Sequence, residues 1–97
     1  TGMSITKQGT VLRKWCIPKE NNTYVCSSPN EFIEDAQTKR RFYITKSQIG
    51  IGLENKVFLN NSEHFGFAET YPPLPSSVKV INIYNGSQYI VKNLRIR

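Results

Sequence analysis

Apolar and polar positions alternate over short runs of this chain, which is the period of half-buried β-strands. The run TVLRKWCI after Gly9 is β-branched and aromatic, and it predicts a first strand that ends at Pro18. The run NNTYVC predicts the returning strand of a hairpin that turns over residues 19–22. These two runs already indicate a fold built from short strands.

The middle of the chain continues the strand pattern. In RRFYITKSQ, Phe42 and Ile44 alternate with Tyr43 and Thr45, which predicts a third strand. The glycines of the following IGIG predict a bend or bulge. The runs KVFL and FGFAET predict two more strands joined by the turn NNS. The proline-rich YPPLPSS predicts a rigid, extended connector.

One segment carries the signals of a helix start. Ser28-Pro29-Asn30-Glu31 supplies a capping serine, a proline at the first helical position and a glutamate three residues after the cap. We therefore expect a short α-helix over residues 29–38, with Phe32, Ile33 and Ala36 as its apolar stripe. The predicted fold is mainly β: a small, partly open β-barrel or sandwich with this one helix packed against it.

The closing run VKVINIYNGSQYIVKNLRIR predicts a hairpin around a turn at Asn85-Gly86. The expected cross-strand pairs are Ile83 with Gln88, Ile81 with Ile90, and Val80 with Val91. One face of the hairpin then holds Ile81, Ile83 and Ile90, and the other holds Val80, Tyr84, Tyr89 and Val91. A sheet with one solvent-exposed face should alternate apolar and polar residues along its strands. We therefore expect the second face to be covered, either by the chain's own helix or by another subunit.

Length and charge limit the number of domains and the class of partner. The length of 97 residues allows one domain, which we expect to span residues 3–97, with residues 1–2 a cloning scar. Thirteen basic residues against seven acidic ones give a net charge of +6, which favours an acidic partner such as nucleic acid, an anionic membrane or an acidic protein face. No apolar run approaches a membrane span and none resembles a signal peptide, so we expect a soluble protein that is not secreted and makes no membrane contact.

The chain offers little material for catalysis. It has one histidine, His64, and scattered acids, so no convergent acid–base set is visible and we expect a non-enzymatic protein. We also expect no metal, no cofactor and no small-molecule substrate. Cys16 and Cys26 flank the predicted first turn, and we expect them to be free thiols, although a disulfide between them is geometrically conceivable.

Two basic and aromatic runs suggest nucleic-acid binding as one function. Arg40-Arg41-Phe42-Tyr43 and Arg13-Lys14-Trp15 place cations beside rings, as a groove for a single strand does. The candidate contacts, to which Trp15 would add a stacking ring, are Arg13, Lys14, Arg40, Arg41 and Tyr43. The same aromatic residues could instead belong to the hydrophobic core.

The other function considered is that of a structural assembly subunit, whose partner would cover the second face of the hairpin. The candidate interface residues are Val80, Tyr84, Tyr89, Val91, Tyr71 and Leu74. A long loop over residues 60–77 could reach a neighbouring subunit. These features lead to an expectation of a homo-oligomer, and the nucleic-acid alternative stays open.

The C-terminal half resembles a known family. RRFYITKSQIG followed by LPSSVKVINIYNGSQYIVKNLRIR, with the element Gly86-Ser87-Gln88-Tyr89-Ile90-Val91, is similar to small tailed-phage head–tail connector or head-completion proteins. The resemblance implies a small β-barrel that assembles as a ring at the phage neck, with portal or tail subunits as partners. It also implies a location in the virion or the host cytoplasm.

Overall fold

The structure, a computed structural model, describes residues 2–97. The mainly β prediction is confirmed: the described residues form ten strands and one turn of 3-10 helix, Leu53–Asn55, which lies between the sixth and seventh strands. The strands are β1 Gly2–Thr6, β2 Gly9–Cys16, β3 Thr23–Val25, β4 Glu31–Asp35, β5 Arg41–Tyr43, β6 Lys46–Ser47, β7 Val57–Leu59, β8 Phe65–Tyr71, β9 Val80–Asn85 and β10 Gln88–Arg95. Residues 2–97 contain no helix that is long and apolar enough to cross a membrane.

The strands form two four-stranded antiparallel sheets and one two-stranded ribbon. The first sheet has the order β1-β2-β8-β6, the second has the order β10-β9-β4-β5, and the ribbon pairs β3 with β7. Neither sheet closes on itself, so the architecture is a sandwich instead of a barrel. The core between the sheets consists of Leu12, Ile33, Phe42, Ile44, Tyr71, Leu74, Val78, Ile81 and Ile83.

One segment passes from the edge of the second sheet to the edge of the first. The backbone N–H of Ile44 donates to the carbonyl of Glu31 (3.0 Å), and the N–H of Thr45 donates to that of Thr70 (2.8 Å). The predicted third strand is therefore split into β5 and β6 at this crossing. The predicted alternation is confirmed, because Phe42 is buried while the neighbouring ring of Tyr43 is exposed.

The predicted helix over residues 29–38 is wrong. The hydrogen bond of the helix-start signature does form, since the backbone N–H of Ser28 donates to Glu31 Oε2 (2.7 Å). The chain nevertheless continues as β4, because Phe32 and Ile33 gain cross-strand partners on both β9 and β5. Tertiary pairing has overridden the local signal, and the turn after the strand is held by Asp35, whose Oδ1 accepts from the N–H of Gln37 (2.9 Å).

Two predictions on connectivity are also wrong. The first two predicted strands do not form a hairpin: β2 lies between β1 and β8, while β3 pairs with β7 across 32 or more residues of chain. The predicted loop over residues 60–77 contains β8, which lies in the interior of the first sheet. Strand types were readable from local pattern, but the partner of each strand was not.

The closing hairpin exists with a different register. Its turn centres on Gly86 (φ 65°) and Ser87, one residue later than the predicted Asn85-Gly86. Tyr84 therefore pairs with Tyr89. Two irregularities follow in β10, and at the second the left-handed Asn93 donates its backbone N–H to Asn82 Oδ1 (2.8 Å). The first irregularity shifts the pairing by one residue, which brings Val91 opposite Ile83 and leaves Ile90 exposed, and the second shifts it by one residue more.

A cluster of charged and hydroxyl groups lies inside the sandwich. The ammonium of Lys14 bonds to Glu31 Oε1 and to Glu69 Oε1 (2.8 Å). Glu69 also accepts from the hydroxyls of Tyr71 (3.0 Å) and Ser27 (2.7 Å). Every buried polar side-chain atom of the described residues has a partner, so the cluster is a closed structural network.

The cluster holds two carboxylates against one ammonium, which sets the pKa directions. Burial raises the pKa of Glu31, and the neighbouring Glu69 charge adds to this against the opposing attraction of Lys14. Burial alone would lower the pKa of Lys14, but its bonds to both carboxylates outweigh burial and the pKa is raised. Lys14 therefore stays charged at neutral pH and compensates the two buried acids.

Replacing Lys14→Met leaves two buried carboxylates uncompensated and is expected to lower the free energy of unfolding by about 3–5 kcal/mol. Because a raised folded-state pKa means that the folded protein holds its proton more tightly, the Glu31 contribution to stability falls as pH rises above 4.5. The loss in Lys14→Met should therefore be larger near about pH 8 than near about pH 5. Urea denaturation measures it, with the exposed Lys46→Met as the control, and equal stability of the two variants contradicts this role.

Candidate functional site

Four aromatic rings form a continuous row across the outer face of the second sheet. One ring comes from each strand, because Tyr43 is the cross-strand partner of Phe32, Phe32 of Tyr84, and Tyr84 of Tyr89. Successive ring centroids are 5.2, 4.5 and 4.4 Å apart along this aromatic row. Such distances are those of stacked and tilted aromatic pairs, so the row is both a packed layer and an extended π surface.

The row is accessible at its two ends. Phe32 in the middle is 4% exposed and Tyr84 is half-buried, whereas Tyr43 and Tyr89 at the ends are 46% and 50% exposed. A fully structural row would gain by burying its end rings also, since each ring carries a large apolar area. The exposed ends are where a planar ligand could continue the stack.

A cation lies over the row near each end. The guanidinium carbon of Arg41 is 4.5 Å from the centroid of the Phe32 ring, and the ammonium of Lys92 is 5.1 Å from the centroid of Tyr89. Both distances are within the range of cation–π attraction. Arg41 Nη1 also donates to the Tyr43 hydroxyl (3.4 Å), which holds the guanidinium over the rings.

A polar layer supports Arg41 from the next row of the same face. Glu34 is buried and lies opposite both Arg41 and Asn82 in the sheet register. Asn82 Nδ2 donates to Glu34 Oε1 (3.0 Å), and Arg41 Nε is 3.9 Å from Glu34 Oε2. The carboxylate therefore orients the guanidinium, which remains exposed and able to meet an anion.

A groove of about 490 Å³ runs beside the row. Phe32, Tyr43 and Tyr84 contribute rings to its lining, and Arg41 contributes its cation. Asn30 and the turn of the closing hairpin complete the lining with amide and backbone polar groups. The groove thus combines ring faces, one cation and hydrogen-bonding groups within one space.

The hydroxyl group of Tyr84 stays protonated at neutral pH. Hydrogen bonding to Tyr89 raises the pKa of Tyr84 to about 12, with burial and the nearby Glu34 charge contributing in the same direction. Tyr84 consequently adds no negative charge to the face of the row. Glu34 Oε2, 3.9 Å from Arg41 Nε, offsets part of the Arg41 charge, and Lys92 adds a second exposed cation over Tyr89.

The surface charge of the sandwich is strongly one-sided. Four of the seven acids are buried, namely Glu31, Glu34, Asp35 and Glu69, and the three exposed ones, Glu20, Glu54 and Glu63, lie in the segments that flank the ribbon strands β3 and β7. Twelve of the thirteen basic residues are exposed. Within residues 2–97, the two four-stranded sheets and the loops that join them therefore expose cations and no carboxylate. This distribution favours a polyanionic ligand.

The predicted interface residues separate into two groups. Tyr84 and Tyr89 lie in the aromatic row, and Val80 is half-buried at the other end of β9, where it pairs with Arg95. Tyr71 and Leu74, 1% and 5% exposed, lie in the chain's own core, so the prediction that they contact a neighbour is wrong. It is also wrong for Val91, which faces the core opposite Ile83 because of the shifted register.

The predicted nucleic-acid contacts are distributed over both faces. Arg41 and Tyr43 belong to the aromatic row, and Arg40 is exposed with its guanidinium 4.9 Å from the Phe42 ring. Arg13 is exposed on the outer face of the first sheet, where it donates to Ser4 Oγ (3.2 Å). The prediction is wrong for Lys14, since its strand parity turns it inward to the buried carboxylates.

The sequence reasoning missed Phe32 and Lys92 as members of the row. Phe32 was assigned to a helix stripe, so its alignment with tyrosines of three other strands could not be seen. Lys92 follows a bulge that the local pattern did not reveal. The detectable signal was the density of tyrosine beside cations in RRFY and in the closing hairpin.

Other chemistry-bearing residues do not converge in the described chain. His64 is exposed in the turn before β8, and Cys16 and Cys26 are free and half-buried. Within residues 2–97 no group of three or more histidine, cysteine or acidic side chains could hold a metal ion. Comparisons with protein-family models, with curated proteins and with solved structures found no match for this chain.

The hydrogen bond between Tyr84 and Tyr89 can be tested directly. Tyr89→Phe removes the hydroxyl that bonds to Tyr84, and the pKa of Tyr84 is expected to fall from about 12 towards the ordinary value of 10.0. NMR titration of ring carbon shifts follows the ionisation. Tyr24→Phe, an exposed tyrosine of the ribbon, serves as the control and should leave the Tyr84 titration unchanged. An unaltered Tyr84 pKa in Tyr89→Phe refutes the contact.

Proposed function

We propose that this protein is a non-enzymatic module that binds single-stranded nucleic acid on the aromatic row of the second sheet. The observation that carries the proposal is the four-ring row with Arg41 and Lys92 over it, on a sheet whose described residues expose no carboxylate. Single strands are held by this combination, because bases stack on rings and phosphates pair with cations.

The exposed end rings decide which form of nucleic acid fits. Tyr43 and Tyr89 offer ring surface to unpaired bases, which a duplex keeps stacked inside its own helix. The row crosses four strands, so its length is about 14 Å at the usual spacing between strands. It therefore accommodates a few nucleotides, with no requirement for a particular base, since every base has a π face.

Truncating one end of the row is the first test. Tyr89→Ala is expected to reduce the affinity for a four-nucleotide oligothymidylate by about 1–3 kcal/mol, the usual value of one stacked base. Fluorescence anisotropy of labelled oligonucleotide at low salt measures the affinity. Tyr24→Ala is the matched control, because Tyr24 is 48% exposed but lies on the ribbon. Equal affinities of the two variants would argue against the row as the site.

The contribution of the cations to binding can be tested by the salt dependence of the affinity. Arg41→Gln should weaken binding and reduce the slope of log K against log salt by about 0.7, which corresponds to one phosphate contact on a single strand. Arg13→Gln, which removes an exposed arginine from the opposite sheet, should leave the binding of the same short oligonucleotide unchanged. A salt slope near zero for the unaltered protein contradicts nucleic-acid binding altogether.

A second candidate function is the assembly subunit of a phage-like particle that the sequence suggested. The supporting observation is the group of exposed rings outside the row, since Trp15, Tyr24 and Phe58 are 70%, 48% and 60% exposed. Exposed aromatic surface is typical of contacts with protein partners. Light scattering across protein concentrations tests self-association, and a higher oligomer that persists in Tyr89→Ala would favour this candidate over the first.

A further inference from the structure

A second stacking platform lies on the outer face of the first sheet. Trp15 is 70% exposed and is the cross-strand partner of Gly66. A Cβ atom placed on Gly66 would come within 3.0 Å of Cε3 and Cζ3 of the indole. The indole therefore lies flat on the backbone of β8, and its opposite face is open to solvent.

Polar and cationic groups surround this platform. A shallow cavity of about 260 Å³ beside Trp15 is lined by Arg13, Gln48 and Ala68 among others. Gln48 is fixed on the sheet edge, because its Oε1 accepts from the N–H of Ala68 (2.8 Å) and its own N–H donates to the Ala68 carbonyl (3.0 Å). The platform thus repeats the components of the aromatic row: a ring, a cation and a hydrogen-bonding side chain.

One exposed stretch of chain joins the two platforms. Between β5, at the edge of the second sheet, and β6, at the edge of the first, Arg41, Tyr43, Thr45 and Lys46 are exposed, and Gln48 follows them. Phe42, Ile44 and Ser47 turn inward, and the alternation is interrupted where the adjacent Thr45 and Lys46 are both exposed. The six residues from Tyr43 to Gln48 span at most roughly 17 Å, so the exposed positions of this stretch join the two platforms around the sandwich edge.

We propose that a bound single strand continues from the aromatic row over the β5–β6 edge and stacks a further base on Trp15. Lys46 and Arg13 supply cations for the phosphates along this path, and no exposed carboxylate of residues 2–97 lies on either sheet to oppose them. This inference rests on the proposed function and extends its site from one sheet to both. The occupant is a single-stranded nucleic acid long enough to reach both platforms.

Trp15 is the sole tryptophan of the chain, so its emission reports on the second platform without interference from the tyrosine row. Oligothymidylates of about 4 and about 16 nucleotides bracket the usual lengths of single-strand sites. We expect both to bind and only the longer one to quench Trp15. Quenching by both lengths alike, or binding of the longer one with no change in Trp15 emission, overturns the proposal.

Longer homopolymers also offer more binding registers, which by itself raises their affinity. The contribution of the second platform is therefore measured by comparing variants on the same oligonucleotide. Gly66→Ala keeps the fluorophore but places a methyl group under the indole, which must tilt. This variant is expected to bind the longer oligonucleotide at least fivefold more weakly and to bind the shorter one with unchanged affinity. Lys46→Ala should act in the same direction, and Lys79→Ala, which replaces an exposed lysine immediately before β9, is its control. Equal effects of Gly66→Ala on both lengths contradict the path.

The two proposals fail separately in this experiment. If the four-nucleotide ligand binds and Tyr89→Ala weakens it, the aromatic row is a binding site whatever happens at Trp15. If neither length binds at low salt, the proposed function and this extension are both rejected. If Trp15 emission instead changes with protein concentration in the absence of oligonucleotide, the platform is a contact between copies of the chain and the proposed path is wrong.

Discussion

Strand β4 lies in the interior of the second sheet with all of its five residues buried, and its pairing with β9 and β5 determines both sides of that sheet. Towards the core, Ile33 packs between the sheets and Glu31 holds Lys14. Towards the outside, Phe32 joins the tyrosines of three neighbouring strands into one row. Pleated geometry sends alternate residues to opposite faces, so core, ion cluster and candidate site depend on one register.

The candidate site contains exposed rings that lose the stabilisation of burial, and beside them the polar groups that hold its cation. Exposed tyrosines at the row ends give up burial, and Arg41 is held over a ring by Glu34, a carboxylate that is itself buried and hydrogen-bonded to Asn82. Burying most of the acids also leaves the outer surface of both sheets positively charged. A structural network within the fold thereby produces a property of the surface, namely attraction for polyanions.

Local pattern predicted most of the strands and failed where distant residues decide the outcome. The alternation in RRFY and FGFAET was sufficient, since Phe42 and Phe67 are buried and their neighbours Tyr43 and Gly66 are exposed. The helix signature failed because its hydrogen bond is equally satisfied in a turn that enters a strand. The hairpin register failed first at the turn, which centres on Gly86 and Ser87, and again at the two irregularities of β10, the second of which carries the bond from Asn93 to Asn82 of the adjacent strand. Half of the row, Tyr84 and Tyr89, was identified as a special surface but assigned to the other function.

The register of β4 is the central claim, and NMR of the unmodified protein tests it most directly. The account predicts extended-strand carbon chemical shifts for residues 31–35 and nuclear Overhauser effects from the Phe32 ring to the rings of Tyr43 and Tyr84. Helical shifts over these residues, or a Phe32 ring that shows contacts to neither tyrosine, would contradict the account and remove the aromatic row with it.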